Sequence, residues 1–232
     1  MNDTLRGVLQ TLAPNLFVVD STLAMPGAKL PLRSTLVKLE SGGLLVHSPV
    51  QFDAATVAEI NAHGEVRVLV APSALHHRFL PSAQSLWPAA ESWAPAAVRT
   101  KSPTLKISHA FGEAEWPYAP ELRAFPLLGA PKVQEVVFLH ASSQSLIVTD
   151  LVFNILEPQG IMAGLIFRIF GTYKHFDSSR LYRGYIADKP AFAASLEPVL
   201  SQDFSRIIMA HGAPVEGDDL PSRLRAVTRR LC

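Results

Sequence analysis

Short β-branched and leucine-rich runs dominate the first half of the chain: Leu16 to Asp20, Ser34 to Leu39, Gly43 to His47 and Val66 to Ala71. Runs of this length, bounded by turn residues, predict strands. Ser41, Gly42 and Gly43 separate the second run from the third, and glycine takes the positive φ of a tight turn at little cost, so that pair is expected to be a hairpin. Phe52 to His63 reads as a helix, with Val57 and Ile60 on one face, Asp53 as its N-cap and Gly64 as its end. Strand, helix and strand, with both strands almost wholly apolar, imply a sheet covered on both faces.

Phe79 to Pro88 predicts another short helix, whereas Ala94 to Ile107 mixes proline, serine and lysine and reads as connecting structure. Strands are expected again at Leu122 to Leu127, Val133 to His140 and Ser145 to Thr149, followed by a long irregular region that reaches Asp188. A helix from Asp188 to Leu200, a strand from Arg206 to Ala210 and a helix from Leu220 to Leu231 complete the pattern, which contains no internal repeat. The apolar region Leu151 to Phe170 is interrupted by Glu157, Pro158, Gln159 and Arg168, short of the roughly 20 apolar residues of a spanning helix.

With 48% hydrophobic and 18% charged residues in 232, the chain has enough apolar material for a sizeable core, and a single α/β domain over residues 1–232 is expected. Its 21 basic and 20 acidic residues nearly cancel, and no long basic run is present to follow a phosphate backbone, so nucleic acid is not an expected partner. Arg223, Arg225, Arg229 and Arg230 cluster on the last predicted helix, where a solvated face is the simpler reading. Cys232 is the single cysteine, so any metal must be held by nitrogen and oxygen. Met1 to Pro14 lacks the basic start and continuous apolar stretch of a secretory leader, making a cytoplasmic location the expectation.

Candidate chemistry collects where predicted strands stop. His76 and His77 follow the strand at Val66, His140 ends one strand, Asp150 follows the next and His211 follows the last. Ligands of layered α/β folds bind at the carboxyl ends of strands, so these five residues are expected to converge. Imidazole nitrogens and a carboxylate suit zinc or iron and leave a position open for water. Taken singly, each histidine is more simply a hydrogen-bonded residue; the case rests on the group. Tyr173, Lys174, Tyr182 and Arg183, in the irregular region, either contact an anionic or aromatic group or anchor the loop. Trp87, Trp93 and Trp116 read as packing residues, His109 and His175 as surface residues. No serine lies in a nucleophile elbow.

The order of Ser34 to Lys38, Gly43 to Pro49, Val68 to His77, Leu146 to Asp150 and Ile207 to Gly212 resembles the metallo-β-lactamase-fold superfamily, and more closely a bacterial branch of it with an altered metal motif. The resemblance implies a four-layer αββα sandwich. Carried over residue by residue, the His-x-His-x-Asp-His motif falls on Pro72, Ala74, His76 and His77, so half of it is gone. His140 corresponds to the later histidine of the first metal site, Asp150 to the bridging aspartate and His211 to the final histidine. His47 stands where the fold places an aspartate at an early strand end, as a candidate partner behind the ligands.

What survives implies a reduced site for one zinc or iron ion, using His76 or His77 with Asp150 and His211. The function implied is hydrolysis of an ester, thioester, lactone or phosphoester by a water activated on the ion. The alternative is a ligand-binding or interaction protein whose polar residues bond to one another without metal. A single-iron redox centre fits the ligand types, but no electron-carrier motif accompanies it. A small-molecule substrate is the expected partner, and a homo-oligomer is compatible with the sequence.

Overall fold

The computed structural model describes residues 8–232, so the leader reading at Met1 to Pro14 lies partly outside the described residues. The first half forms a seven-stranded sheet whose strands lie side by side in chain order. They are β1 (Leu9–Ala13), β2 (Leu16–Met25), β3 (Ala28–Lys38), β4 (Leu44–His47), β5 (Val66–Val70), β6 (Glu91–Pro95) and β7 (His109–Phe111). Antiparallel pairing runs from β1 to β4, and β4 to β7 are parallel. Between the parallel strands lie α1 (Ala54–His63), α2 (Leu80–Leu86) and α3 (Ala96–Lys101). The second half supplies β8 (Leu122–Pro126), β9 (Val136–His140), β10 (Ser145–Val148), β11 (Phe153–Asn154), α4 (Ala163–Phe170), β12 (Phe176–Asp177), α5 (Arg180–Tyr185), α6 (Lys189–Leu200), β13 (Arg206–Met209), β14 (Val215–Glu216) and α7 (Leu220–Thr228). Five of these strands form a second sheet in the order β14, β13, β10, β9, β8.

Three apolar cores define the layers. Leu16, Val37, Val68 and Trp93 of the first sheet meet Val136, Phe138, Ile147 and Ile208 of the second in a core between the sheets. The opposite face of the first sheet packs Leu36, Val46 and Leu69 against Ile60, Leu80 and Val98 of the helices. The opposite face of the second packs Leu139, Leu146 and Ile207 against Tyr182, Phe192, Leu196 and Leu224. The result is helix, sheet, sheet, helix, with strands buried on both faces as their continuous apolar runs require.

The local signals read from the sequence correspond to real devices. Asp53 accepts from the Thr56 backbone N–H at 2.8 Å, and Gly42 and Gly43, both at positive φ, turn β3 into β4. Two expectations are corrected. Ala94 to Ile107 is not merely connecting structure, because β6 extends into it and α3 follows at once. The region before Asp188 is ordered too: it holds the β11–β12 pair, of two residues each and too short for alternation to show, α4, apolar on its inner and outer faces so that no polar face marks it, and α5. No helix among the described residues is long and apolar enough to cross a membrane.

Candidate metal centre

The loop after β5 carries the first candidate ligand and is pinned to both sheets. Ala71 N–H donates to Trp93 O at 2.9 Å, Ala74 N–H donates to Val133 O at 2.8 Å, and Pro72 O accepts from Val136 N–H at 2.8 Å. Within the loop, Ser73 Oγ accepts from the backbone N–H of Leu75 and of His76, both at 3.2 Å, a serine turn that fixes the direction of His76. The other two candidates leave the second sheet together. β10 and β13 are parallel, with Val148 opposite Met209, so Asp150 and His211, each two residues further on, emerge side by side.

These three residues meet at the rim between the sheets. Asp150 Oδ2 lies 3.2 Å from His76 Nε2, and Asp150 Oδ1 lies 3.3 Å from His211 Nε2. The two Nε2 atoms are 3.2 Å apart. His211 Nδ1 donates to Pro31 O at 2.8 Å, because a carbonyl can only accept, and this leaves Nε2 turned toward Asp150. Phe153 stacks on the same ring at 4.8 Å. His76 Nδ1 is 2.8 Å from Ser48 Oγ, which leaves its Nε2 facing the carboxylate as well. Burial alone would raise the Asp150 carboxyl, but the neighbouring imidazoles of His76 and His211 hold it below the usual carboxylate range.

The remaining candidates go elsewhere. His77 points away from its neighbour: Nδ1 contacts Ala74 O at 3.0 Å and Nε2 contacts Ser102 Oγ at 2.9 Å, on the wall of a separate polar cleft. His140 sits at the far end of the second sheet. It does end β9, but β9 runs antiparallel to β10 and His140 pairs with Ser145, the first residue of β10. Its ring meets Ser143 Oγ at 2.7 Å and Ser142 Oγ at 3.3 Å. His47 ends β4 on the correct side and is buried, its Nε2 without a hydrogen-bond partner and its ring edge-on to Phe138. Burial, followed by the charge of His76, pushes its pKa down to about 3. It is therefore a neutral packing neighbour of the group.

The geometry thus gathers two imidazole nitrogens and a carboxylate whose ligand atoms all lie within 4.8 Å of one another. A sequence model for a family described as "Domain of unknown function (DUF4336)" matches residues 14–163, more than half of the chain and including His76 and Asp150. The chain belongs to the DUF4336 family. No curated protein matches it. Solved structures do. A metallo-β-lactamase from Erythrobacter litoralis is similar at TM-score 0.69 and 19% identity, over 98% of this chain and all of that one. A metallo-β-lactamase from Pontibacter korlensis gives 0.66 and 12% over 96% and 99%. The metallo-β-lactamase FIM-1 from Pseudomonas aeruginosa, in its mono-zinc form, gives 0.65 and 12% over 97% and 96%. At such identities the likeness is one of fold, and this DUF4336 protein has the metallo-β-lactamase fold.

Several residues at its centre escaped the sequence reading. Ser48 holds His76 from a left-handed backbone conformation (φ 52°), and its only signal was its place one residue beyond a strand end. Arg33, paired with Asp20 at 2.7 Å, reaches across to the carbonyl of Gly212 and ties β3 to the loop that carries His211. Glu135 is fully buried and accepts from Thr149 N–H at 2.6 Å, directly before Asp150. Burial, then the Asp150 charge, raises its pKa to about 7. A lone carboxylate inside the apolar run Val133 to His140 was the signal available for it. Of the aromatic and basic residues singled out near Asp188, Tyr182 is buried in the core, and none of the four lines the cleft at the centre.

Proposed function

We propose that His76, Asp150 and His211 hold one zinc or iron ion and that the protein hydrolyses a small, largely apolar ester, thioester or lactone at this centre. The observation that carries the reading is the convergence of His76 Nε2, His211 Nε2 and the Asp150 oxygens on one point. The donor set fits an ion: Asp150 Oδ2 is buried without a well-formed hydrogen bond, although two imidazole nitrogens face the carboxylate. Two nitrogens and one oxygen leave a coordination position free, as catalytic sites do, and are acceptable to either metal. When bound, the ion supplies Lewis acidity toward the scissile carbonyl and toward water.

The protein's own residues do the rest. Ser48 and Pro31 O fix the two rings so that both Nε2 atoms face the site, and Asp150 stays ionised between them. The cleft above the centre is small, about 160 Å³, and Leu23, Leu30, Leu32, Val50 and Phe79 give it apolar walls, which would exclude water around an acyl or alkyl group. Arg78, the one arginine or lysine of the lining, would meet negative charge developing on the substrate oxygen. That lining favours carboxylic esters and thioesters over phosphoesters, which call for more positive charge.

The test is elemental analysis of the purified protein together with hydrolysis of a panel of short-chain acyl esters, thioesters and lactones. About one equivalent of zinc or iron is expected, lost together with activity in the double variant Asp150→Ala, His211→Ala. Undiminished metal in that variant, or a folded metal-free protein inert toward the whole panel, would overturn the proposal; the latter result favours a ligand-binding role for the fold.

A further inference from the structure

Helix α4 is apolar on two opposite faces. Ala163 and Phe167 turn inward against Phe153 and Ile155, which accounts for one of them. The other carries Ile161, just before the helix, with Leu165 and Ile169 at four-residue spacing, and these are 98%, 56% and 56% exposed. Met162 adds to the same exposed surface. A helix with a solvated outer face is normally polar there, so folding alone leaves this stripe without a purpose.

Beside the stripe opens a cleft of about 390 Å³ lined by Tyr173, Arg168, Arg180, Arg183 and Arg230. Two of the arginines are held against the helix by the chain itself. Arg168 donates to Gly164 O at 3.0 Å and lies 3.8 Å over the Tyr173 ring, and Arg180 donates to Ile169 O at 3.2 Å. Asp177 is the carboxylate in the cleft, and Arg230 at 3.0 Å and His175 at 3.6 Å already face it. Four guanidinium groups against one carboxylate leave an excess of positive charge next to exposed aliphatic side chains.

We propose that α4 and this cleft form a docking surface for an anionic phospholipid membrane. The Ile161, Leu165 and Ile169 stripe enters the interface while Arg168, Arg180 and Arg183 take up headgroup phosphates. Guanidinium pairs well with phosphate oxygens, and an apolar stripe rimmed by basic residues is the pattern of a helix lying in the plane of a bilayer surface. A second copy of the chain fits less well, because two-fold packing on the stripe brings the same arginines toward one another. An uncharged apolar partner leaves them unused.

Co-sedimentation with vesicles made of equal parts phosphatidylcholine and phosphatidylglycerol tests this directly. The protein is expected to pellet with these vesicles, far less with phosphatidylcholine alone, and to be released by high salt. Leu165→Glu with Ile169→Glu abolishes binding, and Arg180→Ala weakens it about five-fold, the share of one basic residue near such a surface. Both alter exposed side chains, and unchanged melting temperatures show that the variants remain folded. Equal binding to both kinds of vesicle, or none to either, overturns the proposal. So does a dimer in light scattering that Leu165→Glu disperses while vesicles are ignored, or binding of free glycerol phosphate without binding of vesicles.

Discussion

His211 and His140 are each 3% exposed and each lie at the end of a strand in the second sheet, yet their surroundings have little in common. His211 faces Asp150 and His76; His140 faces the hydroxyls of Ser142 and Ser143. Strand direction makes the difference. β13 runs parallel to β10, so His211 follows Asp150 to one rim, while β9 runs antiparallel and carries His140 to the other. Burial and residue type are therefore insufficient to mark a ligand. A neighbouring carboxylate and a convergent strand end are what separate the two.

The largest effect expected at the ligand rim comes from Gly212. Its φ is 108°, and a Cβ there would lie 2.1 Å from Asn154 O, a backbone atom that cannot move aside. Gly212→Ala should cost about 4 kcal/mol or more, through strain and a shift of the His211 loop. Gly112 is the control, because its φ is also positive but a Cβ meets nothing within 4 Å. Gly112→Ala should cost about 1 kcal/mol. Equal losses in chemical denaturation would mean that the close approach at Asn154 contributes nothing.

Next in size is the contrast between the proposed ligand and its look-alike. Asp150→Ala should weaken metal binding by more than about 100-fold, because it removes a proposed ligand rather than one of its supports. His140→Ala should retain a full equivalent of metal while losing about 1–2 kcal/mol of stability from its buried ring. Titration with zinc against a competing chelator measures the first, thermal melting the second. Loss of metal in His140→Ala would erase the distinction between the two rims.

The hairpin at Gly42, the Asp53 cap, the strands at Leu16, Val66, Leu146 and Ile207 and the presence of Asp150 and His211 at strand ends were all legible in the sequence. Those signals are local: a turn residue, a cap, an apolar run. Sheet order and strand direction were not legible, because pairing joins residues far apart in the chain. His140 therefore reads from the sequence like the other candidates, although β9 carries it to the opposite end of the sheet. The choice between His76 and His77 was equally hidden, since adjacent side chains diverge and only the Ser73 turn decides which one faces Asp150. β11 and β12, of two residues each, fall below the length at which periodicity speaks, and α4 is apolar on both its inner and outer faces, so no polar side marks it as a helix.

A smaller effect concerns pH. His47 has a folded pKa of about 3 against an unfolded value of about 6.5. Between those values the unfolded chain binds more protons, so stability rises with pH through this window. His47 thus favours folding fully above pH 6.5 and progressively less as the solution is acidified toward pH 3. The slope contributed is at most about 1.4 kcal/mol per pH unit. His47→Leu, which fills similar space without the titrating ring, should flatten the acid side of the stability curve measured by denaturation of the metal-free protein. An unchanged slope would mean that His47 is solvated or protonated in the fold.

The finest test uses one kind of bond at both rims. Ser48 Oγ lies 2.8 Å from His76 Nδ1 and Ser143 Oγ lies 2.7 Å from His140 Nδ1, so each serine orients a histidine through similar geometry. Ser48 stands behind a proposed ligand and Ser143 does not. Ser48→Ala frees the His76 ring to turn and should lower metal affinity about 10-fold, the lower end of what a group behind a ligand contributes. Its effect on stability should be about 1 kcal/mol, as for any hydrogen bond of this kind. Ser143→Ala should show the same loss of stability and no change in affinity. If the two variants bind metal equally well, His76 needs no support from Ser48 and the rigidity of the Ser73 turn is sufficient to aim it.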